Sequence, residues 1–437
     1  MNDYITIVEF FTNPIFSASM ISSMLMCFGS SLISVIVFVK RRSLVGEALS
    51  HAAYPGIAIS VLVCAPLFTS KPFLFPFVVL IGAFISAIIG MKLITFMERR
   101  LHVKSDSALS FVLSTFLGVG ILIASRIQFT HPIWFGQVQM FLYGQSATMM
   151  SSHVVLYFIL SSIIVFFVVF LFHTIKLISF DEVYSKVLGM KVKFVESIIL
   201  ILIVLAVVIG IRTVGVVLMA GMLIAPAATA RMLSNKLSTM FCLSSIFGVL
   251  SGFLGNYLSV NLSIYIMNRH AGWKISLPTG PMIVIVSVMF SILAMIFAKE
   301  RGFLVRFYRM EKFRLKVVFE NFLKDFYKIN GGQSIKGIKI NSICIIFILH
   351  KFGFLYKKNK LYFLTEKGKS KARRVIRLHR VWELYLFECL QISADNVHCS
   401  AEEIEHIITR DMENELSKIL NDPKVDPHNQ EIPVGDL

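Results

Sequence analysis

Long apolar runs dominate the first 298 residues. Runs near 14–39, 72–97, 106–125, 151–175, 237–267 and 278–298 each offer the roughly 20 helical residues needed to cross a hydrocarbon core of about 30 Å, and predict six membrane spans. Shorter runs near 48–67, 194–211 and 213–230, interrupted by Pro or Gly, are bounded by polar residues, and the flanking charges alternate only if these runs cross as well. The expectation is eight or nine spans. From Glu311 the period changes: Leu315, Val318, Phe319, Phe322, Leu323 and Phe326 recur at helical spacing and form one apolar stripe, most simply core. Residues 353–368 then alternate around a Lys-Asn turn like a small hairpin, and helices followed by a basic hairpin predict a winged helix.

Composition sharpens this division. With 56% hydrophobic and 16% charged residues the chain is too apolar for an ordinary soluble or disordered protein. The net charge of +17 is uneven: residues 1–298 hold 18 Lys/Arg and 8 Asp/Glu, residues 299–437 hold 25 and 18. An N-out, C-in orientation puts Lys40, Arg41, Arg42, Arg99, Arg100, Lys104, Lys176, Lys186, Lys191, Lys193, Arg231 and Lys236 inside, against five outside, Lys71, Arg126, Arg212, Arg269 and Lys274, as short cytoplasmic loops require. Lys92, near the inner end of a span, can snorkel. The charged tail is then cytoplasmic. Six cysteines without a CxxC pair indicate no disulfide framework, and Met1 to Asn13, with Asp3 and Glu9, does not read as a cleaved signal peptide.

Candidate chemistry in the membrane half begins with GEALSHAAYPG, residues 46–56, where Glu47 and His51 stand at i and i+4 and can reach one ion from one helical face. The alternative reading of that spacing is an interfacial Glu–His pair at the start of a span. Residues 212–231 combine small residues that allow close helix contact with a mid-helix proline. Residues 180–190, FDEVYSKVLGM, form a short amphipathic charged stretch between spans, either a docking surface or a solvated loop. Together with Leu277-Pro278-Thr279-Gly280, and in this order and spacing, these blocks resemble the permease subunits of zinc/manganese/iron ABC importers over most of residues 10–300. The resemblance implies that Glu47 and His51 line the ion path. It also implies that the Asp181 to Met190 loop, with Asp181, Glu182 and Gly189, docks the ATPase. Glu47 stands where that family more usually has Asp, which keeps a carboxylate.

In the tail, His379 and Glu383 are at i, i+4, and Glu402, Glu405 and His406 at i, i+3, i+4, with His398 just before them, a donor set suited to a divalent transition ion. The bland alternative is a solvated acidic helix with surface histidines. The blocks LTEKG, LHRVWELYL, VHCSAEEIEH and the DP…DPHNQEIP stretch to residue 433 resemble the diphtheria-toxin-repressor family over about 311–433. That resemblance implies His379, Glu383 and His398 for one ion, and Glu402, Glu405 and His406 for a second, with Glu320 on the first helix as a weaker match. It further implies that metal orders the winged helix and a dimer interface. The expected recognition helix, about 342–351, offers almost no Arg, Asn or Gln for base edges, whereas Lys336, Lys339, Lys351, Lys357, Lys358 and Lys360 offer phosphate contacts.

A permease joined to such a repressor resembles the fused metal-transport proteins of chlamydiae. The expected fold is an all-α polytopic membrane bundle of eight or nine helices, residues 1–300, with a C-terminal cytoplasmic, mainly α domain, residues 301–437. Within that domain the winged helix takes 311–366 and metal binding and dimerisation take 367–437. The expected function is the inner-membrane permease subunit of an ATP-driven importer of Fe, Mn or Zn with a metal-sensing, transcription-repressing tail. Two alternatives are a membrane-anchored metal-dependent repressor and a permease whose tail only regulates transport. No GxxxxGK[ST] occurs. The chain is therefore expected not to be an enzyme, and its partners are an ATP-binding ABC subunit, a periplasmic metal-binding protein, a second permease copy or related subunit, membrane lipid and, through the tail, DNA.

Overall fold

A computed structural model describes residues 5–64, 75–149, 151–269, 276–328, 333–334, 340–358, 361–393, 397–398, 401–402 and 404–433. The chain divides into two compact units, Met1–Val305 and Arg306–Leu437.

The first unit is helical. In chain order it holds α1 (Ile7–Thr12), α2 (Pro14–Val39), α3 (Ser43–Cys64), α4 (Phe75–Arg100), α5 (Ser105–Thr130), α6 (Pro132–Tyr143), α7 (Ser151–Phe170), α8 (Phe172–Phe180), α9 (Glu182–Val187), α10 (Val192–Val214), α11 (Met219–Leu233), α12 (Leu237–Arg269) and α13 (Thr279–Phe297). Among the described residues seven helices are long and apolar enough to cross a membrane: α2, α4, α5, α7, α10, α12 and α13. The other two runs expected to cross form α3 and the shorter α11, each carrying an internal proline, Pro55 and Pro226, and neither is among those seven. Exposed Ile, Phe and Val side chains such as Ile81, Ile85, Phe158 and Phe166 coat the bundle, as a hydrocarbon solvent permits.

Packing inside the bundle is close. Gly56 of α3 and Gly82 of α4 face each other, and a Cβ at Gly56 would overlap the Gly82 carbonyl, so the two backbones meet with only hydrogens between them. A seam of hydroxyls and one amide crosses the interior. Asn256 Nδ2 donates to Ser23 Oγ at 2.5 Å, Ser146 Oγ donates to Asn256 Oδ1 at 3.2 Å, and the Ser146 N–H donates to Thr279 Oγ1 at 3.1 Å. The Leu277 to Gly280 block is held by the same kind of bond, Ser259 Oγ donating to the Leu277 carbonyl at 2.7 Å. Such bonds replace the water that a bilayer lacks.

One end of the bundle is marked by charge. Glu196 at the start of α10 pairs with Lys40 after α2 at 3.5 Å and with Arg99 at the end of α4 at 3.2 Å, and Glu98 lies 4.0 Å from Arg42. These chain segments therefore share one end, as the alternation of basic loops requires. Arg212, counted with the loops in the sequence reading, instead lies in the last turn of α10, buried, with its guanidinium 5.3 Å from the centre of the Phe141 ring. A cation can occupy this apolar site because the ring face supplies partial negative charge.

The second unit comprises α14 (Phe303–Lys328) from Arg306 onward, β1 (Gln333–Ser334), α15 (Ile340–Lys351), β2 (Leu355–Lys358), β3 (Leu361–Leu364), α16 (Glu366–Glu388) and α17 (Arg410–Ile419). The three strands form an antiparallel sheet in the order β1-β3-β2, with Leu355 opposite Leu364 and Lys358 opposite Leu361. Leu323, Phe326, Ile346, Leu349, Leu355, Tyr362 and Ala372 make one core beneath this helix–hairpin element. A second core joins Leu378, Val381 and Leu384 of α16 to Ile408, Leu416, Leu420 and Ile432. Thr365 caps α16, accepting from the Gly368 N–H at 3.1 Å.

Candidate metal centres

In the membrane unit Glu47 and His51 occupy consecutive turns of α3. Glu47 is half-buried; His51 is 7% exposed, and its buried Nδ1 has no hydrogen-bond partner. A buried donor or acceptor without a partner costs about 1–3 kcal/mol, so an imidazole nitrogen left in this state inside an apolar bundle suits transient ligation of a passing cation. Gly46 brings α3 against Leu223 of α11, linking the two proline-containing helices.

The loop between α8 and α10 contains α9. Asp181 caps it, accepting from the Tyr184 N–H at 2.8 Å, Lys186 pairs with Glu182 at 2.6 Å, and Gly189 ends the turn at φ +76°, a left-handed conformation that glycine adopts without strain. Val183, Val187 (79% exposed), Leu188 and Phe180 are all exposed around this short charged helix. A charged helix with an uncovered apolar face is the surface expected of a docking element.

The tail holds the densest chemistry. His379 and Glu383 lie on the buried face of α16, one turn apart, and His398 meets them from the following segment. His379 Nε2 is 3.1 Å from Glu383 Oε1 and 3.0 Å from His398 Nδ1, and His398 Nδ1 is 2.8 Å from Glu383 Oε1. Ligand atoms about 2.1 Å from a shared ion and at right angles to each other stand about 3.0 Å apart, so this triangle has the size of three adjacent positions around one ion. Among the described residues it is the group of three His, Cys, Asp or Glu side chains close enough to hold a metal. Two imidazoles and a carboxylate suit Fe(II), Mn or Zn.

The electrostatics keep the carboxylates ionised and hold a proton on His379, which a bound metal ion would have to displace. Burial pushes the Glu383 carboxyl up, but hydrogen bonds from His379 and His398 outweigh it and bring the pKa down to about 2, so a carboxylate faces the site at neutral pH. Burial pulls His379 down, whereas its bonds to Glu383 and Glu405 outweigh burial and leave it raised. Glu405 is likewise lowered, because bonds from His379 and Lys324 exceed the effect of its burial.

Of the residues implied for a second ion, Glu405 and His406 lie together, Oε1 3.4 Å from Nε2, and Glu320 joins them, whereas Glu402 stands apart. Glu402 is exposed, with Oε1 3.6 Å from His398 Nε2. Glu405 lies 2.5 Å from His379 Nδ1, and His406 Nδ1 is 2.8 Å from Glu320 Oε2 on α14. Lys357 and Lys358 project from β2 with exposed side chains, whereas Lys336, Lys339 and Lys360 lie outside the described residues. On α15, Ile346 and Leu349 are buried and Phe347 is 68% exposed. The sequence reading missed the clamp over α16: Asp426 accepts from the His428 and Gln430 N–H groups at 2.9 and 2.8 Å and lies 3.5 Å from Arg380 Nε, and Arg377 donates to the Pro433 carbonyl at 3.0 Å.

A bundle of apolar helices with buried polar contacts, followed by a unit with a His/Glu/His donor triangle, defines a polytopic membrane transport subunit carrying a metal-binding appendage. Residues 12–298 match the ABC 3 transport family, and the chain belongs to that family. Residues 365–434 match the iron dependent repressor, metal binding and dimerisation domain. The chain is similar to a probable metal transport system membrane protein of Chlamydia trachomatis, 32% identical over 97% of both chains. It is also similar to a manganese transport system membrane protein of Bacillus subtilis, 30% identical over 83% of this chain and 82% of that one. In structure the membrane unit resembles PsaBC from Streptococcus pneumoniae, solved in complex with Fab, with a TM-score of 0.57 at 24% identity over 70% of this chain and all of that one, a likeness of fold.

Proposed function

We propose that the chain is the inner-membrane permease subunit of an ATP-driven importer of Fe, Mn or Zn, with its N-terminus periplasmic and its tail a cytoplasmic metal sensor. The observation that carries this reading is the His379–Glu383–His398 triangle in the same chain as a membrane unit of a metal-transport family. Glu47 and His51 line the ion path, where the unpartnered His51 Nδ1 offers a transient ligand. Asp181, Glu182 and Gly189 shape α9 as the docking helix for a separate ATP-hydrolysing subunit, and this chain itself is not an enzyme. A periplasmic binding protein delivers the ion, and a second permease copy or related subunit completes the pathway.

The tail reads the imported metal. His379, Glu383 and His398 would hold one ion, which would tie α16 to the segment carrying His398, so that binding energy would become folding energy. Lys357 and Lys358 on β2 supply contacts to DNA phosphates. Exposed Phe347 and the apolar composition of α15 favour backbone contact over base reading. A protein that used its membrane half only as an anchor needs one span, and seven helices among the described residues are long and apolar enough to cross.

The test is metal uptake by liposomes holding the chain with its ATPase, compared for Fe(II), Mn(II) and Zn(II). Glu47→Ala and His51→Ala should each abolish uptake in protein that still assembles with the ATPase. Normal uptake by the double variant would remove both residues from the ion path.

A further inference from the structure

The ligand set implied for a second ion has a feature that no spacing shows. Glu405 is 2% exposed, and its two oxygens accept from Lys324 Nζ of α14 at 3.0 and 2.9 Å. Lys324 is itself 6% exposed, and its ammonium also lies 3.4 Å from His379 Nδ1. Glu320, the weaker match on α14, has Oε1 2.9 Å from Lys371 Nζ and Oε2 2.8 Å from His406 Nδ1. The other nitrogen of His406 is 3.0 Å from Asn321 Oδ1. Each buried carboxylate thus has its own ammonium, and both nitrogens of the histidine between them have partners.

Buried carboxylates need compensating charge. A divalent ion would bring two positive charges on one centre; here two lysines, anchored on α14 and α16, bring one each. We propose that Lys324, assisted by Lys371, is a built-in counter-cation that replaces the second ion, so that the tail takes up one divalent ion per chain at His379, Glu383 and His398. The proposal rests on reading that triangle as the tail's metal centre. An ion seeking Glu405 meets an ammonium already bound to both oxygens. To admit it, Lys324 must leave its carboxylate while still enclosed by protein, an uncompensated buried charge. The tie between α14 and the segment carrying Glu405 therefore exists without metal, and the response to metal is confined to the triangle, whose exposed member is His398.

The experiment uses the full chain in detergent, with Mn(II) alone as the probe, bound metal being counted after equilibrium dialysis at saturation and followed by Mn(II) electron paramagnetic resonance. Glu383→Gln should lose one Mn(II) per chain relative to the native protein, and Glu405→Gln should lose none. Lys324→Met, which keeps the stem and removes the charge, should gain one, and adding Glu405→Gln to it should abolish the gain. Loss of one Mn(II) per chain in Glu405→Gln alone would overturn the proposal, as would a folded Lys324→Met that binds no more than the native chain. If Lys324→Met does not fold, the comparison of Glu405→Gln with Glu383→Gln in the otherwise native chain decides. Unchanged binding in Glu383→Gln would instead overturn the assignment of the triangle, independently of Lys324.

Discussion

Glu383→Gln preserves shape and deletes one charge at the centre of the donor triangle, so its cost in the metal-free chain follows from the geometry. Bonds from His379 at 3.1 Å and His398 at 2.8 Å outweigh burial and bring the carboxyl from its ordinary 4.5 to about 2. At about 1.4 kcal/mol per tenfold change in acidity, the ionised carboxylate favours the folded tail by about 3 kcal/mol. A lowered carboxyl contributes fully above its unfolded value, 4.5, and its contribution disappears as pH falls through about 2. His379 is raised above 6.5, so its contribution is complete below 6.5 and is lost as pH rises through the raised value. The metal-free tail should therefore be most stable between about pH 4.5 and 6.5, falling away on both sides. Glu383→Gln should lower stability by about 2–3 kcal/mol at pH 6 and flatten the acid limb. The assay is urea unfolding of the full chain in detergent, with Trp134 and Trp273 replaced by Phe so that fluorescence reports Trp382, the residue before Glu383 on α16, packed against the second core of the tail. Metal at a hundredfold excess over its dissociation constant should add about 2.7 kcal/mol to the native chain and little to the variant. A loss below about 0.5 kcal/mol at pH 6, or an acid limb identical to the native one, would refute the reasoning.

Gly56→Ala should drive a methyl group into the Gly82 carbonyl, forcing α3 and α4 apart at a cost of about 1–3 kcal/mol, measured as a lowered Tm in detergent. Val183→Asp with Val187→Asp should leave the permease folded but abolish co-purification with the ATPase, since both side chains are exposed on α9. DNA binding by the metal-loaded tail should weaken steeply with salt, and Lys357→Ala with Lys358→Ala should reduce the slope of log K against log salt by about 2 in a fluorescence anisotropy titration.

The chain's own pattern determined most of the architecture. Apolar runs of about 20 residues are legible because a bilayer core imposes one length on every span, and the nine expected runs correspond to the helices α2, α3, α4, α5, α7 and α10 to α13, seven of which, among the described residues, are long and apolar enough to cross. The i, i+4 spacings of Glu47 with His51 and of His379 with Glu383 were visible because helical geometry makes them neighbours. Pairings between distant segments were beyond that reach. Nothing in local spacing sets Lys324 against Glu405, 81 positions later, or His406 against Glu320, 86 positions earlier. Arg212 illustrates the same limit: composition assigns a basic residue to a loop, whereas Phe141 on α6 gives it a buried berth. Helix and span are decided by neighbours in sequence, and so sequence alone determines them; which carboxylate sits between two histidines and which is paired with a lysine depends on helices brought together from far along the chain, and only the tertiary structure decides it.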